Sequence, residues 1–142
     1  MREGWYETLR QDFVRGFPAF CGIQVERVGH GEFDTRLDVR PEHAQQDGFV
    51  HAGVMATMAD HTAGYAAFTL VNEHQRVLTI EFKINYFKPA TGSVLLCRGR
   101  VLHRGRRIIV SDAELLSVDG NTSKRVAKAT VTLMVIGDGG GE

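Results

Sequence analysis

Residues 43–68 read "HAQQDGFVHAGVMATMADHTAGYAAF". The stretch begins polar and turn-like, passes Gly48 and Gly53, and becomes a helix of small residues. From Val54 to Leu70 it is apolar nearly all round, and Ala56, Ala59, Ala63, Ala66 and Ala67 suit close contact with another layer. A helix of that kind must be covered on most of its surface. One stripe differs: Gly53, Thr57, Asp60 and Gly64 recur at spacings of four, three and four and share a small, polar face. An ionised carboxylate in such an element costs on the order of 2–5 kcal/mol unless it is partnered or used. Asp60 therefore marks the place to look for chemistry.

The rest of the chain supplies the cover. Ahead of the helix, Trp5, Leu9, Phe13 and Phe17 recur every four residues, which predicts one short amphipathic helix. From Phe20 the period changes to two: Cys21, Ile23 and Val25, then Phe33, Thr35, Leu37 and Val39, read as a hairpin around "VGHGE". After the long helix, "VLTIEFKINYF" alternates, with Leu78, Ile80, Phe82 and Ile84 on one side and Thr79, Glu81, Lys83 and Asn85 on the other. Pro89 and Gly92 end that strand. "GSVLLCRGRVLH", "RRIIVSDAELLS" and "KRVAKATVTLMVI" follow, separated by "RG" and "DGN" turns of antiparallel hairpins. The expected fold is α+β: an antiparallel sheet of about six strands wrapped around one long central helix, with a short N-terminal helix. A single domain over residues 1–136 is expected, with "GDGGGE" (137–142) a disordered tail.

Composition narrows the class of function. With 142 residues the chain has the length of one domain, and 17 basic residues balance 17 acidic ones. A net charge of zero argues against nucleic-acid and membrane-surface partners and leaves little repulsion to oppose self-association. No apolar run is long enough to cross a bilayer, and the N-terminus lacks a secretion signal. Cys21 and Cys97 are expected to be buried free thiols in a reducing cytoplasm. His43, His61 and His103 form no metal-ligand spacing, so no metal is expected.

The site is read from the loop before the helix. Ala52 and Gly53 stand at the helix start, where N–H groups lack intrahelical acceptors and the macrodipole adds positive charge. A carbonyl oxygen held there would be stabilised as negative charge builds on it. Asp60 lies two turns on, roughly 10 Å of rise, so one helix alone keeps the two apart. A partner chain could bring its own helix alongside. Gln45 offers an amide that can accept or donate.

"Gln45-Gln46-Asp47-Gly48-Phe49-Val50-His51-Ala52-Gly53", with Asp60 nine residues after His51, resembles the hotdog-fold acyl-CoA thioesterases of the phenylacetate-pathway and 4-hydroxybenzoyl-CoA type. "INYFKPATG" and "LHRGRRIIVSDAEL" resemble the strands that follow in that family, and the likeness covers almost the whole chain. It implies the hotdog fold and hydrolysis of an acyl-CoA to acid and coenzyme A, with no cofactor beyond the coenzyme A of the substrate. Homodimers or tetramers (dimers of dimers) that share sites between chains are also implied.

By the same resemblance Asp60 is the catalytic carboxylate, Gln45 orients water or thioester, Ala52 gives the oxyanion N–H and His51 anchors the loop. Thr79 falls where some relatives place a hydroxyl near the reacting carboxylate from the partner chain. Ala52 replaces the first Gly of the family's His-Gly-Gly, which leaves the donor in place. Gly64 stands where some relatives carry a hydroxyl. In the "HRGRR" turn, Arg104, Gly105 and Arg106 are candidates for the coenzyme A phosphates, with Lys88 joining them. Two other readings stay open: a hydratase or dehydratase using His51 with the helix carboxylate, and a non-catalytic acyl-CoA-binding module.

Overall fold

In a computed structural model, residues 2–137 are described. Two helices open the chain, α1 (Glu3–Phe13) and α2 (Phe17–Cys21), followed by the hairpin β1 (Ile23–Gly29) and β2 (Glu32–Asp38). The long helix α3 spans Ala52–Phe68, and β3 (Gln75–Tyr86), β4 (Val94–Arg104), β5 (Ile108–Asp119) and β6 (Thr122–Gly137) complete the chain. The six strands form one antiparallel sheet in the order β1-β2-β4-β5-β6-β3. This is the hotdog arrangement, a curled sheet holding one helix.

Contact between the layers depends on small residues. Ala59, Ala63, Ala66 and Ala67 of α3 are fully buried. On β4, a Cβ at Gly99 would lie 2.9 Å from the Thr62 carbonyl oxygen, so only glycine lets the helix backbone approach the strand this closely. The far end of α3 is closed by the N-terminus. Arg2 donates from Nη2 to the carbonyls of Thr69 (2.7 Å) and Val71 (2.8 Å), and the Trp5 indole N–H donates to that of Phe68 (2.9 Å). A cation on helix-end carbonyls is favoured by both hydrogen bonding and the macrodipole.

Three expectations change. The single N-terminal helix is two, because Gly16 takes φ +64° and Pro18 starts α2 in its first turn. Cys21 therefore ends a helix instead of opening a strand. On β3 the even alternation fails at a bulge between Thr79 and Glu81. Val77 and Thr79 pair with buried Val135 and Leu133, whereas past the bulge Phe82 and Ile84 pair with buried Val131 and Ala129. The inward parity thus switches from odd to even, turning Thr79 toward α3 and leaving Leu78 and Ile80 more than half exposed. Third, β6 continues to Gly137, so the expected tail loses its first residue to the strand; 138–142 lie outside the described residues.

Candidate active site

Two clefts flank the polar stripe of α3. One, of about 480 Å³, opens at the helix start between the loop bearing Gln45 and the end of β3; His51, Ala52, Tyr86 and Lys88 line it. The other, of about 250 Å³, opens at mid-helix, lined by Asp60, Gly64, Tyr65, Phe68, Arg76 and Thr79.

At the helix start each amide has a definite fate. His51 is the N-cap, and its Nδ1 accepts from the Gly53 N–H at 2.8 Å. The ring is therefore in the tautomer that carries its proton on Nε2. Gly53 does not serve as an oxyanion donor, a correction to the sequence reading, because its N–H is spent on this cap. What Gly53 supplies is space: a Cβ there would sit 3.0 Å from His51 Nδ1. The N–H of Ala52 has no acceptor among the described residues and faces outward at the positive end of the macrodipole.

Gln45 is also resolved. Its Oε1 accepts from the N–H groups of Asp47 (2.6 Å) and Phe49 (3.1 Å), which folds the loop back toward the helix. With the oxygen engaged, Nε2 is the end left to donate. Tyr86, which the sequence reading did not single out, donates its hydroxyl to the Ala52 carbonyl at 2.9 Å and pins the end of β3 to the helix start. Its only early signal was the inward parity after the bulge, which alternation alone conceals.

At mid-helix, Asp60 is half-buried and its Oδ1 accepts from the Thr79 hydroxyl at 2.7 Å. Both belong to one chain, so no partner is needed to supply that hydroxyl. The bond fixes the carboxylate's rotamer and leaves its second oxygen toward the cleft. Gly64 is buried one turn on, where a Cβ would meet only Leu133 Cδ2, at 3.6 Å. His61 lines the cleft beside Asp60 and packs between Phe13 (4.5 Å) and Tyr65 (4.8 Å), and burial lowers its pKa below the ordinary 6.5. Ala52 and Asp60 are eight residues apart on α3, about 12 Å of rise. One chain thus carries both groups and does not bring them together.

The cation expectation divides as well. The Lys88 N–H donates to Val126 at one end of β6, whereas Arg107, in the β4–β5 turn, accepts from the Val135 N–H at the other. Nine residues of strand separate those points, about 30 Å. Within one chain Lys88 cannot join Arg104 and Arg106, a correction to the expected cluster. Gly105 is consumed by its own turn: its N–H donates to Ile108 at 2.8 Å and its carbonyl accepts from Arg104 at 2.6 Å. Both cysteines are free and buried, and burial pushes the Cys97 thiol up to about 12. No cluster of metal-ligating side chains occurs among the described residues, and no helix there is long and apolar enough to cross a membrane.

Residues 47–124 match the family described as the thioesterase superfamily. The chain belongs to that superfamily. A thioesterase family protein of Silicibacter pomeroyi, known from its crystal structure, is 32% identical, with a TM-score of 0.90 over 94% of this chain and 99% of that one. A Saccharolobus solfataricus protein named "putative esterase" is 31% identical over 91% of this chain and 81% of its own length. More distantly, the 1,4-dihydroxy-2-naphthoyl-CoA hydrolase of Listeria monocytogenes is 22% identical over 84% of this chain and 95% of its own. The protein is a thioester hydrolase of the hotdog fold.

Proposed function

We propose that the protein is an acyl-CoA thioesterase whose working site forms between two copies of the chain. The observation that carries this reading is the division of labour on α3, an unpartnered Ala52 N–H at its start and a carboxylate held by Thr79 about 12 Å away. Beside it, β3 is a sheet edge, and an open edge invites pairing with another chain. Two-fold antiparallel pairing of β3 sets the start of one strand against the end of the other. The helix-start cleft of one copy, at the end of β3, then faces the mid-helix cleft of its partner.

In that arrangement the thioester carbonyl oxygen accepts from the Ala52 N–H of one copy, with Gln45 Nε2 donating to the thioester or to water nearby. Asp60 of the other copy either takes a proton from the water that attacks the carbonyl carbon, or attacks that carbon itself to give an acyl–aspartyl anhydride that water then hydrolyses. In both routes the C–S bond breaks and coenzyme A leaves as a thiolate, and the proton it takes up comes from the water consumed. Charge on the tetrahedral oxygen is met by a donor already in place, which costs no reorganisation. The same pairing brings the Lys88 end of one copy toward the β4–β5 turn of the other, where these cations can meet one nucleotide. A hydratase is disfavoured: with Nδ1 accepting the Gly53 N–H, the outward Nε2 of His51 carries the proton and has no lone pair with which to take one from an acyl chain.

The test is a panel of acyl-CoA thioesters assayed for released thiol, with the acyl products identified. Free thiol with unaltered acyl groups is expected. An acyl chain changed by water addition or loss, with the thioester intact, would assign the protein to the hydratases.

A further inference from the structure

The mid-helix cleft contains a cation that the proposed reaction does not use. Arg76 alternates with buried Gln75 and Val77 on β3 and so leaves the strand on its outer side. Its guanidinium nevertheless lies over the Phe68 ring, 5.8 Å from the centroid, and lines the same cleft as Asp60. No ion pair or hydrogen bond engages it among the described residues. Stacking on an aromatic face holds a guanidinium in place while leaving its in-plane N–H donors open.

Between this cation and the carboxylate the cleft is lined by rings. His61, Tyr65 and Phe68 follow one another along α3 with centroids 4.8 and 5.0 Å apart. Gly64 shares that face of α3, and its lack of a side chain leaves the rings and Leu133 of β6 to form the wall there. Arg76 stands three residues before Thr79, about 10 Å along the strand. That span is too short for the pantetheine arm and the phosphates beyond it, but it suits an acyl group whose carbonyl sits at Asp60.

We propose that Arg76 reads the far end of the acyl group, selecting compact thioesters whose acyl part ends in a carboxylate. A guanidinium receives a carboxylate through two parallel N–H···O bonds, so it discriminates against a methyl end of equal length. This inference rests on the proposed acyl-CoA thioesterase reading and adds a substrate class to it.

The experiment compares adipoyl-CoA with hexanoyl-CoA, equal in chain length and different only at the far end. Wild type should favour adipoyl-CoA by about tenfold or more in kcat/KM. Arg76→Met keeps a long stem over Phe68 and removes the charge. It should lose that preference while hydrolysing hexanoyl-CoA within about twofold of wild type, and Arg76→Lys should recover part of it. Thermal melting and size-exclusion chromatography of each variant report fold and assembly. Wild type that hydrolyses both thioesters equally would overturn the inference and leave the thioesterase reading intact. So would a Met variant that loses equally on both, or that changes oligomeric state, since Arg76 would then serve coenzyme A or a subunit contact. Failure to hydrolyse any thioester in the panel would sink the thioesterase reading, and this inference with it.

Discussion

The two clefts of α3 lie on one helix and share almost no chemistry. At the helix start the amide N–H groups are settled within a few residues: His51 takes that of Gly53, Gln45 folds its own loop, and that of Ala52 has no acceptor among the described residues; only the Tyr86 hydroxyl on the Ala52 carbonyl comes from afar. At mid-helix the polar groups are side chains brought from distant parts of the chain, with Thr79 reaching Asp60 across 19 residues. A donor for developing negative charge and a carboxylate would attract each other if adjacent, and each would blunt the other. Holding them two turns apart keeps the two from each other within one chain, the feature on which the proposed two-copy site rests.

Removing the carboxylate should have the largest effect. Asp60→Asn is isosteric and should retain the wild-type melting temperature while losing at least about 100-fold in turnover. Gln45→Leu removes the donor on the other side and should be strongly impaired on its own. If each working site takes one group from each copy, co-refolding these two variants in equal amounts should restore about a quarter of wild-type activity, because half the dimers then hold one intact site. No recovery in the mixture, with both variants folded and dimeric, would mean that each chain works alone.

A smaller effect tests how the carboxylate is held. Thr79→Val keeps shape and removes the bond to Asp60, and kcat should fall about tenfold with little change in KM. Thr79→Ser should retain most activity, since the hydroxyl survives. Equal activity in all three proteins would make this bond incidental.

Neutralising Arg104 and Arg106 together tests the far side of the proposed two-copy site. KM for an acyl-CoA should rise about tenfold with kcat nearly constant, and an acyl-pantetheine, which lacks the nucleotide phosphates, should be hydrolysed as well as by wild type. Equal losses on both substrates would return the turn to a purely structural role.

The smallest effect is on stability. Burial disfavours the charged form of His61 and holds its folded pKa below 6.5. The unfolded chain therefore takes up this proton at a higher pH than the folded one does. The contribution is complete above about pH 6.5 and is lost as pH falls from there toward the folded value. Melting temperature should drop across that window, and His61→Phe, which keeps ring contact with Phe13 and Tyr65, should flatten the drop.

Much of the fold was legible along the chain. The period of four in α1, the apolar girth of α3 and the turns between β4, β5 and β6 are set by residues within a few positions of one another. The stripe of Gly53, Thr57, Asp60 and Gly64 needed only helical geometry to be recognised, and the split between helix start and carboxylate followed from the rise per residue. The place where α1 gives way to α2 was also a local matter, carried by Gly16 and Pro18, but the period of four ran across it and concealed it.

What only the tertiary structure decided is where distant segments meet. The bulge at Ile80 arises from pairing between β3 and β6, and it alone turns Thr79 inward onto Asp60. Strand order placed Lys88 and the "HRGRR" turn at opposite ends of the sheet, which no spacing along the chain reports. Arg76 joins the cleft because the fold sets the start of β3 beside the end of α3, where its guanidinium lies over the Phe68 ring. Sequence periodicity records which face of an element a residue occupies, whereas a register shift or an open edge exists only once strands are paired. The chemistry-bearing residues were therefore visible in the sequence, and their partners were determined by the fold.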